Sequence, residues 1–265
     1  MQAPDGAFSH RHLGAVDKRV HRMGLALNYG IDAKGVAEAL ERGVNYLFYT
    51  SLRTGRARPV LRDALARDRE SFVVAAGASL GLYRGAVRRA AEATLRKLGT
   101  DYIDVFHLFW LGTTSAWTDG TREALRALRE EGKIRAVGIS IHDRPRAGRL
   151  AEEPGLDLLM IRYNAAHPGA EGDIFPHLAP RRPSIVAYTA TSWRKLLARP
   201  RGWDGRPMTA GECYRFCLSN PHVDVVLTGP KNQGELRENL DALESGPLAA
   251  DELAWMRRFG AAVHG

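Results

Sequence analysis

Cysteine is scarce in this sequence: only Cys213 and Cys217 occur among its 265 residues. They are four residues apart in the segment ECYRFCLSNP, so a helix would carry both on one face. No cluster of histidines or further cysteines accompanies them, and two ligands do not make a zinc site. We therefore expect two small buried side chains in a reducing compartment, and we predict neither a disulfide framework nor a metal site.

Long apolar runs are also missing. No uninterrupted apolar segment approaches the ~20 residues that a membrane-spanning helix needs. The first residues lack the basic segment and apolar run that are typical of a secretory signal. These two absences predict a soluble, cytoplasmic protein without a membrane partner.

Acidic residues are outnumbered, since 30 Asp and Glu face 38 Lys and Arg, which leaves a net charge of +8. Six of the basic residues are lysines, and the arginines are scattered along the chain rather than collected in one stripe. No module with interleaved aromatic and basic residues accompanies them. We therefore expect no nucleic-acid partner and predict a small-molecule substrate or ligand, for which an anionic group would account for the charge.

Apolar segments alternate with amphipathic ones along the whole chain, which is typical of repeated strand and helix units. Eight such units imply parallel strands with right-handed crossovers, and eight close as a (β/α)8 TIM barrel. An open doubly wound sheet is the alternative, but no GxGxxG motif follows a predicted strand. We predict a loose segment over residues 1–10 and a single barrel domain over residues 11–265. The predicted strands are residues 19–27, 45–50, 72–76, 102–109, 134–140, 156–163, 184–190 and 223–227.

Several segments, taken together, resemble the aldo/keto reductase family. Residues 11–30 (RHLGAVDKRVHRMGLALNYG) are similar to the family's opening hairpin and first strand, and GVNYLFYTSLRTG from residue 43 to its second strand. LRKLGTDYIDVFHLFW from residue 95 and EEGKIRAVGIS from residue 130 resemble two further strand signatures. VDVVLTGPKNQGELRENL from residue 223 resembles the last strand and the helix that holds the cofactor's adenosine phosphate. The resemblance implies a barrel of the aldo/keto reductase type with a short N-terminal β-hairpin.

The resemblance also implies four catalytic positions. In the family a tyrosine donates a proton, a lysine and an aspartate lower its pKa, and a histidine orients the substrate oxygen. A phenol with a pKa of about 10 donates well near neutrality only beside a cation. At the aspartate position this chain has Phe48, or Tyr49 if the strand is aligned from the other side. At the tyrosine position it has Arg53 or Thr54. Gly77 stands at the lysine position and Phe109 at the histidine position. We therefore predict that the chain has lost ordinary NADPH-dependent carbonyl reduction.

The positions that the resemblance assigns to NADP(H) match the family more closely than the four catalytic positions do. Ile141 and Met160 stand where the family has an asparagine and a glutamine for the nicotinamide amide, so binding of the cofactor is left open. The matching residues are Ser140 for the amide, Tyr188 for stacking on nicotinamide, Thr189 and Thr191 for the pyrophosphate, and Lys231, Glu235, Glu238 and Asn239 for the adenosine end.

Other polar and aromatic residues are predicted at the carboxyl ends of the strands, the face where barrel enzymes place their sites. His107 shares an inward face with Phe109, and Arg162 with Met160, because side chains alternate along a strand. The candidate replacements for the catalytic groups are Tyr49, Arg53, His107 and His142, and the candidate substrate pocket is Trp110, Arg162 and Trp193.

Three functions remain open from the sequence. One is an enzyme with altered, for example redox-neutral, chemistry on a small molecule. The second is a non-catalytic nucleotide- or ligand-binding protein. The third is an NADPH-dependent oxidoreductase with substitute residues, since hydride transfer depends mainly on positioning of the cofactor.

Overall fold

The computed structural model describes residues 8–264, which form a closed eight-stranded parallel barrel preceded by a β-hairpin. The hairpin pairs β1 (His10–Leu13) antiparallel with β2 (Lys18–His21). The barrel closes in the order β10-β3-β4-β5-β6-β7-β8-β9, which confirms the predicted (β/α)8 fold and its N-terminal hairpin. Residues 1–7 of the segment predicted to be loose lie outside the described residues, whereas His10 begins β1. The barrel strands are β3 (Met23–Ala26), β4 (Tyr46–Phe48), β5 (Val73–Ala78), β6 (Ile103–Leu108), β7 (Ile134–Ile141), β8 (Leu158–Arg162), β9 (Ser184–Tyr188) and β10 (Val225–Thr228).

Helices cover the outside of the barrel. Side-chain caps define where several of them begin: Thr118 and Thr209 cap their helices with reciprocal bonds to the third helical residue, which satisfies free backbone N–H groups. Short 3-10 helices occupy residues Phe175–His177, Lys195–Leu197 and Ala242–Ser245. The α-helices are α1 (Ala33–Glu41), α2 (Arg58–Arg67), α3 (Arg84–Leu98), α4 (Asp119–Glu130), α5 (Arg144–Ala151), α6 (Ala170–Asp173), α7 (Ala210–Ser219), α8 (Gln233–Asp241) and α9 (Ala250–His264).

The segment 19–27, predicted as one strand, is divided at Arg22 into β2 and β3. The Arg22 guanidinium donates to the carbonyls of Leu218 and Val223, both at 2.8 Å, and so satisfies backbone acceptors at the amino end of the barrel. The chain therefore turns out of the hairpin and into the barrel at this residue. The prediction of a single strand was wrong because apolar alternation continues across the turn and conceals it.

Alternate residues of the strands fill the barrel interior. Tyr46, Val105 and Leu158 belong to this buried interior cluster, and Leu13 and Val20 of the hairpin pack with them. The other face of each strand packs against the helices. This arrangement leaves the carboxyl ends of the strands as the open face, and the connections that follow the strands surround it.

The two cysteines lie in α7, where both are buried and unbonded. The Cys217 thiol donates to the carbonyl of Tyr163 at 3.1 Å. The prediction of two small buried side chains is confirmed. Over the described residues, no helix has the length and apolar character to cross a membrane. Residues 8–264 also contain no group of three or more His, Cys, Asp or Glu side chains suited to a metal ion.

Candidate active site at the barrel mouth

A cleft of about 690 Å³ opens at the carboxyl ends of the strands, and we call it the mouth cleft. It extends from the ends of β4 and β6, across the ends of β7 and β9, to the connection between β10 and α8. All eight residues that the sequence assigns to NADP(H) line it: Ser140, Tyr188, Thr189, Thr191, Lys231, Glu235, Glu238 and Asn239.

Two phenylalanines form the apolar floor of the mouth cleft. Phe48 at the end of β4 and Phe109 after β6 meet edge to face with ring centroids 5.5 Å apart. Both are almost fully buried, and Met160 of β8 completes the floor between them and β9. Aromatic pairs in this geometry pack favourably. The floor therefore has neither a proton to donate nor a charge at the two positions that the resemblance assigns to aspartate and histidine.

Gly77 lies on β5 behind this floor and does not line the mouth cleft. A Cβ atom at Gly77 would lie 2.4 Å from the carbonyl oxygen of His107 and 2.9 Å from Cε2 of Phe109. Real Cβ atoms do not approach a backbone oxygen so closely, so the strand pairing of β5 with β6 has room only for glycine here. The position that the resemblance assigns to the lysine therefore cannot carry an ammonium in this backbone.

His107 lies one layer below Phe109, inside the barrel and outside the mouth cleft. Its ring stacks on Phe109 with centroids 5.5 Å apart and occupies the space beside Gly138, whose Cβ would come within 2.6 Å of the His107 ring. The Nδ1 atom donates to the carbonyl of Ala76 at 3.1 Å, and the buried Nε2 has no partner among the described residues. Burial lowers the pKa of His107 to about 4. His107 is a neutral core residue, and this placement contradicts the hypothesis that it is a replacement catalytic group.

This burial predicts a pH dependence of stability. The unfolded chain takes up a proton on His107 near pH 6.5, whereas the folded protein takes it up only near pH 4. The unfolded state therefore binds more protons between these values, so the stabilisation is complete above pH 6.5 and is lost as the pH falls towards 4. We expect His107 to contribute a loss of about 3 kcal/mol in unfolding free energy over this interval. Denaturant unfolding at several pH values measures it.

The His107→Phe variant is the control, because its ring packs similarly and cannot titrate. Its unfolding free energy should fall less steeply between pH 6.5 and 4 than that of the wild type, whatever its absolute stability. Two other histidines, His21 and His167, also have pKa values lowered to about 4, mainly by burial, so a residual slope is expected in the variant. Equal slopes in the two proteins would contradict the assignment of His107 as a neutral buried ring.

The side chains of the connection after β4 do not point where the sequence predicted. Arg53, with a φ of 56°, is exposed and does not line the mouth cleft, and Thr54 is buried, with its hydroxyl donating to the carbonyl of Thr50 at 3.0 Å. Thr50 and Leu52 line the cleft instead. Neither Arg53 nor Thr54, the two residues aligned with the family's tyrosine, therefore offers a side chain to the cleft.

Tyr49, predicted as a replacement for a catalytic group, does not line the mouth cleft. Its side chain faces the helices rather than the barrel interior, since it belongs to the cluster packed between strands and helices, and it is 1% exposed. Its hydroxyl is buried and has no hydrogen-bond partner among residues 8–264. Tyr49 therefore cannot deliver a proton to a ligand in the mouth cleft.

His142, after β7, and Tyr188, at the end of β9, face each other across the wall of the mouth cleft. The Tyr188 hydroxyl lies 3.2 Å from Nε2 and 3.3 Å from Nδ1 of His142. Burial raises the pKa of Tyr188 to about 12, and burial together with the positive charge of Arg162 lowers the pKa of His142. Both rings are therefore neutral near pH 7.

Ser140 supports this wall from β7. Its hydroxyl oxygen accepts a hydrogen bond of 2.8 Å from the backbone N–H of Trp110, and it keeps its own proton free to donate. Trp110 and Trp193 both line the mouth cleft, as predicted for the substrate pocket, and more than half of each side chain is exposed. Arg162 does not line the cleft and lies half-buried beside Tyr188, its partner in the register of β8 and β9.

The connection between β10 and α8 forms the far end of the mouth cleft. Asn232 caps α8, and the Glu235 carboxylate accepts from the backbone N–H of Lys231 at 2.9 Å. The Asn239 amide donates to the Thr228 hydroxyl at 3.0 Å, which fixes α8 against β10. The Lys231 side chain is exposed at the amino end of α8, where backbone N–H groups and positive charge together favour an anion.

The connection after β9 has an uncommon backbone conformation that the sequence does not predict. Four of its residues, none of them glycine, have positive φ: Thr189 (55°), Ser192 (49°), Trp193 (56°) and Arg194 (70°). Such conformations cost on the order of 1–3 kcal/mol each and persist where neighbours enforce them, often at ligand sites. Asn164 is one such neighbour, since its buried amide donates to the carbonyl of Thr189 at 2.8 Å.

Asn28 and Tyr29, which directly follow β3, were not among the predicted site residues. Both line the mouth cleft, and the Tyr29 ring covers Gly229, where a Cβ would lie 2.5 Å from it. The Asn28 side-chain oxygen is buried with no hydrogen-bond partner among the described residues, so it is free to accept from a ligand. Their position immediately after a barrel strand was the signal that could have identified them.

Comparisons with known proteins agree with this architecture. The sequence model of the aldo/keto reductase family matches residues 18–192, which is more than half of the chain. The chain belongs to the aldo/keto reductase family. It is 25% identical to an uncharacterized oxidoreductase, YqkF, of Bacillus subtilis, over 92% of this chain and 94% of that protein. It is 30% identical to the methylglyoxal reductase YeaE of Escherichia coli, over 51% of this chain and 48% of that protein.

Solved members of the family share the fold. An aldo-keto reductase from Bacillus halodurans in its holo form superimposes with a TM-score of 0.79 and 23% identity, over 94% of this chain and 95% of that one. An aldo-keto reductase from Klebsiella pneumoniae, solved in complex with NADPH, superimposes with a TM-score of 0.74 and 22% identity, over 92% and 93%. At this level of identity the likeness concerns the barrel, and the chemistry of the mouth cleft depends on this chain's own residues.

Proposed function

We propose that this aldo/keto reductase family member binds NADP(H) in the mouth cleft and carries out an altered reaction on a small molecule, without ordinary carbonyl reduction. One observation carries the proposal: the eight cofactor positions line one cleft, whereas its floor consists of Phe48 and Phe109. A redox-neutral rearrangement or elimination fits such a floor, because it does not require the family's phenol as proton donor.

The residues of the far end fit the phosphate-bearing half of NADP(H). Lys231 is exposed at the amino end of α8, and the Asn28 oxygen, which has no partner among residues 8–264, offers an acceptor to a ribose hydroxyl. Thr189 and Thr191 line the same cleft and offer hydroxyls to the pyrophosphate. A bound cofactor of this kind supplies a hydride donor or acceptor, and a solved relative from Klebsiella pneumoniae contains NADPH.

The residues of the nicotinamide end fit less well. Tyr188 offers a ring for stacking and Ser140 a hydroxyl, but Ile141 points its apolar side chain towards the helices and Met160 has no amide. The carboxamide would therefore have one anchor of the three that the resemblance assigns. A displacement of the ring by about 1 Å can lower a reaction rate by ~10²-fold.

A second candidate function rests on the pair of His142 and Tyr188. The 3.2 Å contact between the Tyr188 hydroxyl and His142 places a phenol and an imidazole at the cleft wall. In an oxidoreductase with substitute residues this pair would deliver the proton. Two Escherichia coli relatives are named methylglyoxal reductases, so methylglyoxal with NADPH is the substrate that tests this candidate.

The cofactor proposal predicts a specific loss in the Lys231→Ala variant. If the ammonium of Lys231 contacts the 2′-phosphate, the affinity for NADPH should fall by about 1–3 kcal/mol, while the affinity for NADH should stay the same. Isothermal calorimetry with both dinucleotides measures this. The matched control is Lys97→Ala, which removes an exposed ammonium near the carboxyl end of α3, on the opposite side of the barrel from the mouth cleft.

Two outcomes oppose the proposal. If neither dinucleotide binds to the wild type, the cleft is not a cofactor site. If NADPH binds but Lys231→Ala and Lys97→Ala behave alike, the phosphate is held elsewhere and the assignment of Lys231 is wrong.

A further inference from the structure

The Arg162 guanidinium lies at the mouth without an anionic partner. It ends β8, is half-buried, and forms no hydrogen bond or ion pair within residues 8–264. Two other arginines with little exposure pair with carboxylates, Arg69 with Asp104 at 2.6 Å and Arg215 with Glu252 at 3.0 Å, whereas the buried Arg22 donates to backbone carbonyls. A partly buried guanidinium is stabilised by an anion. Since no anionic side chain of residues 8–264 pairs with Arg162, an anionic ligand would provide that stabilisation.

Two neutral rings flank Arg162. Tyr188 is its register partner on β9, and His142 follows Ile141, which pairs with Ile161 on β8. Burial, the larger effect, raises the pKa of Tyr188 and lowers that of His142, while the charge of Arg162 acts to lower the pKa of both, as expected for a nearby guanidinium. The Tyr188 hydroxyl and a His142 ring N–H are donors that can turn from each other towards an incoming oxygen.

The carboxylates on the neighbouring connections are engaged elsewhere. Asp143 caps α5 through the backbone N–H of Arg146 at 3.0 Å. Asp173 pairs with Arg144 at 3.0 Å, and Glu171 pairs with Arg257 at 2.8 Å. None of these carboxylates on the connections after β7 and β8 therefore forms an ion pair with Arg162.

Large apolar side chains are exposed around the mouth cleft. Leu52, Trp110 and Trp193 line the mouth cleft, and more than half of each side chain is exposed. The remaining large apolar side chains that are exposed in the described part of the chain also lie on connections after β3 and β5: Tyr29, Leu80, Leu82 and Tyr83. Exposed apolar surface concentrated around a cleft is typical of a binding site.

We propose that the ligand of the mouth cleft is an apolar carboxylate. Its carboxylate enters at the cleft wall between the Tyr188 hydroxyl and the His142 ring, which turn from each other to admit it to Arg162 beside that wall and serve as further donors. Its apolar body lies over Phe48 and Phe109 towards Trp110. A planar guanidinium matches a carboxylate with two parallel hydrogen bonds. The inference rests on the proposed function in so far as it takes the mouth cleft to be the ligand site, and it names the class of that ligand.

Three probes separate the charge from the apolar body. Benzylpyruvate carries both, its ethyl ester lacks the charge, and pyruvate lacks the body. Calorimetry on the wild type, with and without saturating NADPH, should give benzylpyruvate at least about 10-fold tighter binding than either of the others, which is the size of one charge-assisted hydrogen bond. This comparison needs no variant and so does not depend on the folding of one.

The Arg162→Met variant then tests the residue. It should bind benzylpyruvate and the ester equally, with the ester's affinity unchanged, and should keep its affinity for NADPH. The matched control is Arg181→Met, an exposed arginine on the connection before β9, at the opposite end of the barrel, which should behave as the wild type. Inorganic phosphate is unsuitable as a probe because Lys231 would bind it as well.

The outcomes are distinguishable. Equal binding of the acid and the ester by the wild type overturns the carboxylate assignment, and so does an acid preference that survives in Arg162→Met. Failure of all three probes to bind overturns the proposed ligand class. Failure of NADPH alone to bind contradicts the proposed cofactor and leaves the carboxylate site standing.

Discussion

Purified protein supplied with NADPH and a generic aldehyde, such as para-nitrobenzaldehyde, is expected to consume the cofactor on the order of 10⁴-fold more slowly than a family member with the usual acid. A positioned proton donor and stabilisation of the developing oxyanion each contribute roughly 10²-fold or more. Phe48 and Phe109 supply neither, and Gly77 supplies no ammonium. The decrease in NADPH absorbance with time measures the rate.

The control for this experiment is binding. NADPH must first be shown to occupy the cleft, since an empty cleft would also be inactive. Turnover at ordinary enzyme rates would contradict the proposed altered chemistry and favour the pair of His142 and Tyr188 as the proton source. In that case Tyr188→Phe, which removes the hydroxyl and keeps the ring, should abolish the activity.

Installing the family's four catalytic side chains is expected not to create a reductase. The combined variant Phe48→Asp, Thr54→Tyr, Gly77→Lys and Phe109→His meets three physical obstacles. Lysine at position 77 places its Cβ 2.4 Å from the His107 carbonyl oxygen. Tyrosine at position 54 starts from a buried residue whose side chain faces away from the mouth cleft. Aspartate at position 48 brings a charge into an apolar floor, where desolvation opposes it.

The steric part of this prediction can be measured alone. Gly77→Ala should lower the unfolding free energy by about 3 kcal/mol, because the new methyl group overlaps backbone that cannot move without breaking the pairing of β5 with β6. The matched control is Gly120→Ala in the first turn of α4, where a Cβ has no atom within 4 Å. Alanine there should be neutral or slightly stabilising, since glycine disfavours helix. Denaturant unfolding compares them.

Aldehyde reduction by the fully folded combined variant would show that the cleft is still a reductase cleft. Gly77→Ala stability equal to that of Gly120→Ala would show that β5 and β6 separate readily at this point. Either result would require a different physical reason for glycine at position 77.

The barrel could be predicted from the sequence because the strand faces depend on features that are local in the chain, and the residues that the resemblance assigned to NADP(H) do line the mouth cleft. Apolar alternation gives the strand faces, and the end of a strand places a residue such as Ser140 or Tyr188 at the mouth. The direction of side chains in the connection after β4 could not be predicted. There one turn decides whether Leu52 or Arg53 reaches the cleft, and no periodic pattern extends through a turn.

The sequence by itself determined the closed eight-stranded barrel and the edge at which the site lies, since both follow from the order and period of apolar residues, whereas the N-terminal hairpin came from the resemblance to the family. Tertiary structure alone decided how that edge is used. The His107 ring fills the space beside Gly138, and the His107 backbone oxygen and the Phe109 ring fill that beside Gly77. The strand register sets Arg162 between two neutral rings. These features depend on distances between strands that are far apart in sequence, and a linear pattern contains no measure of such distances.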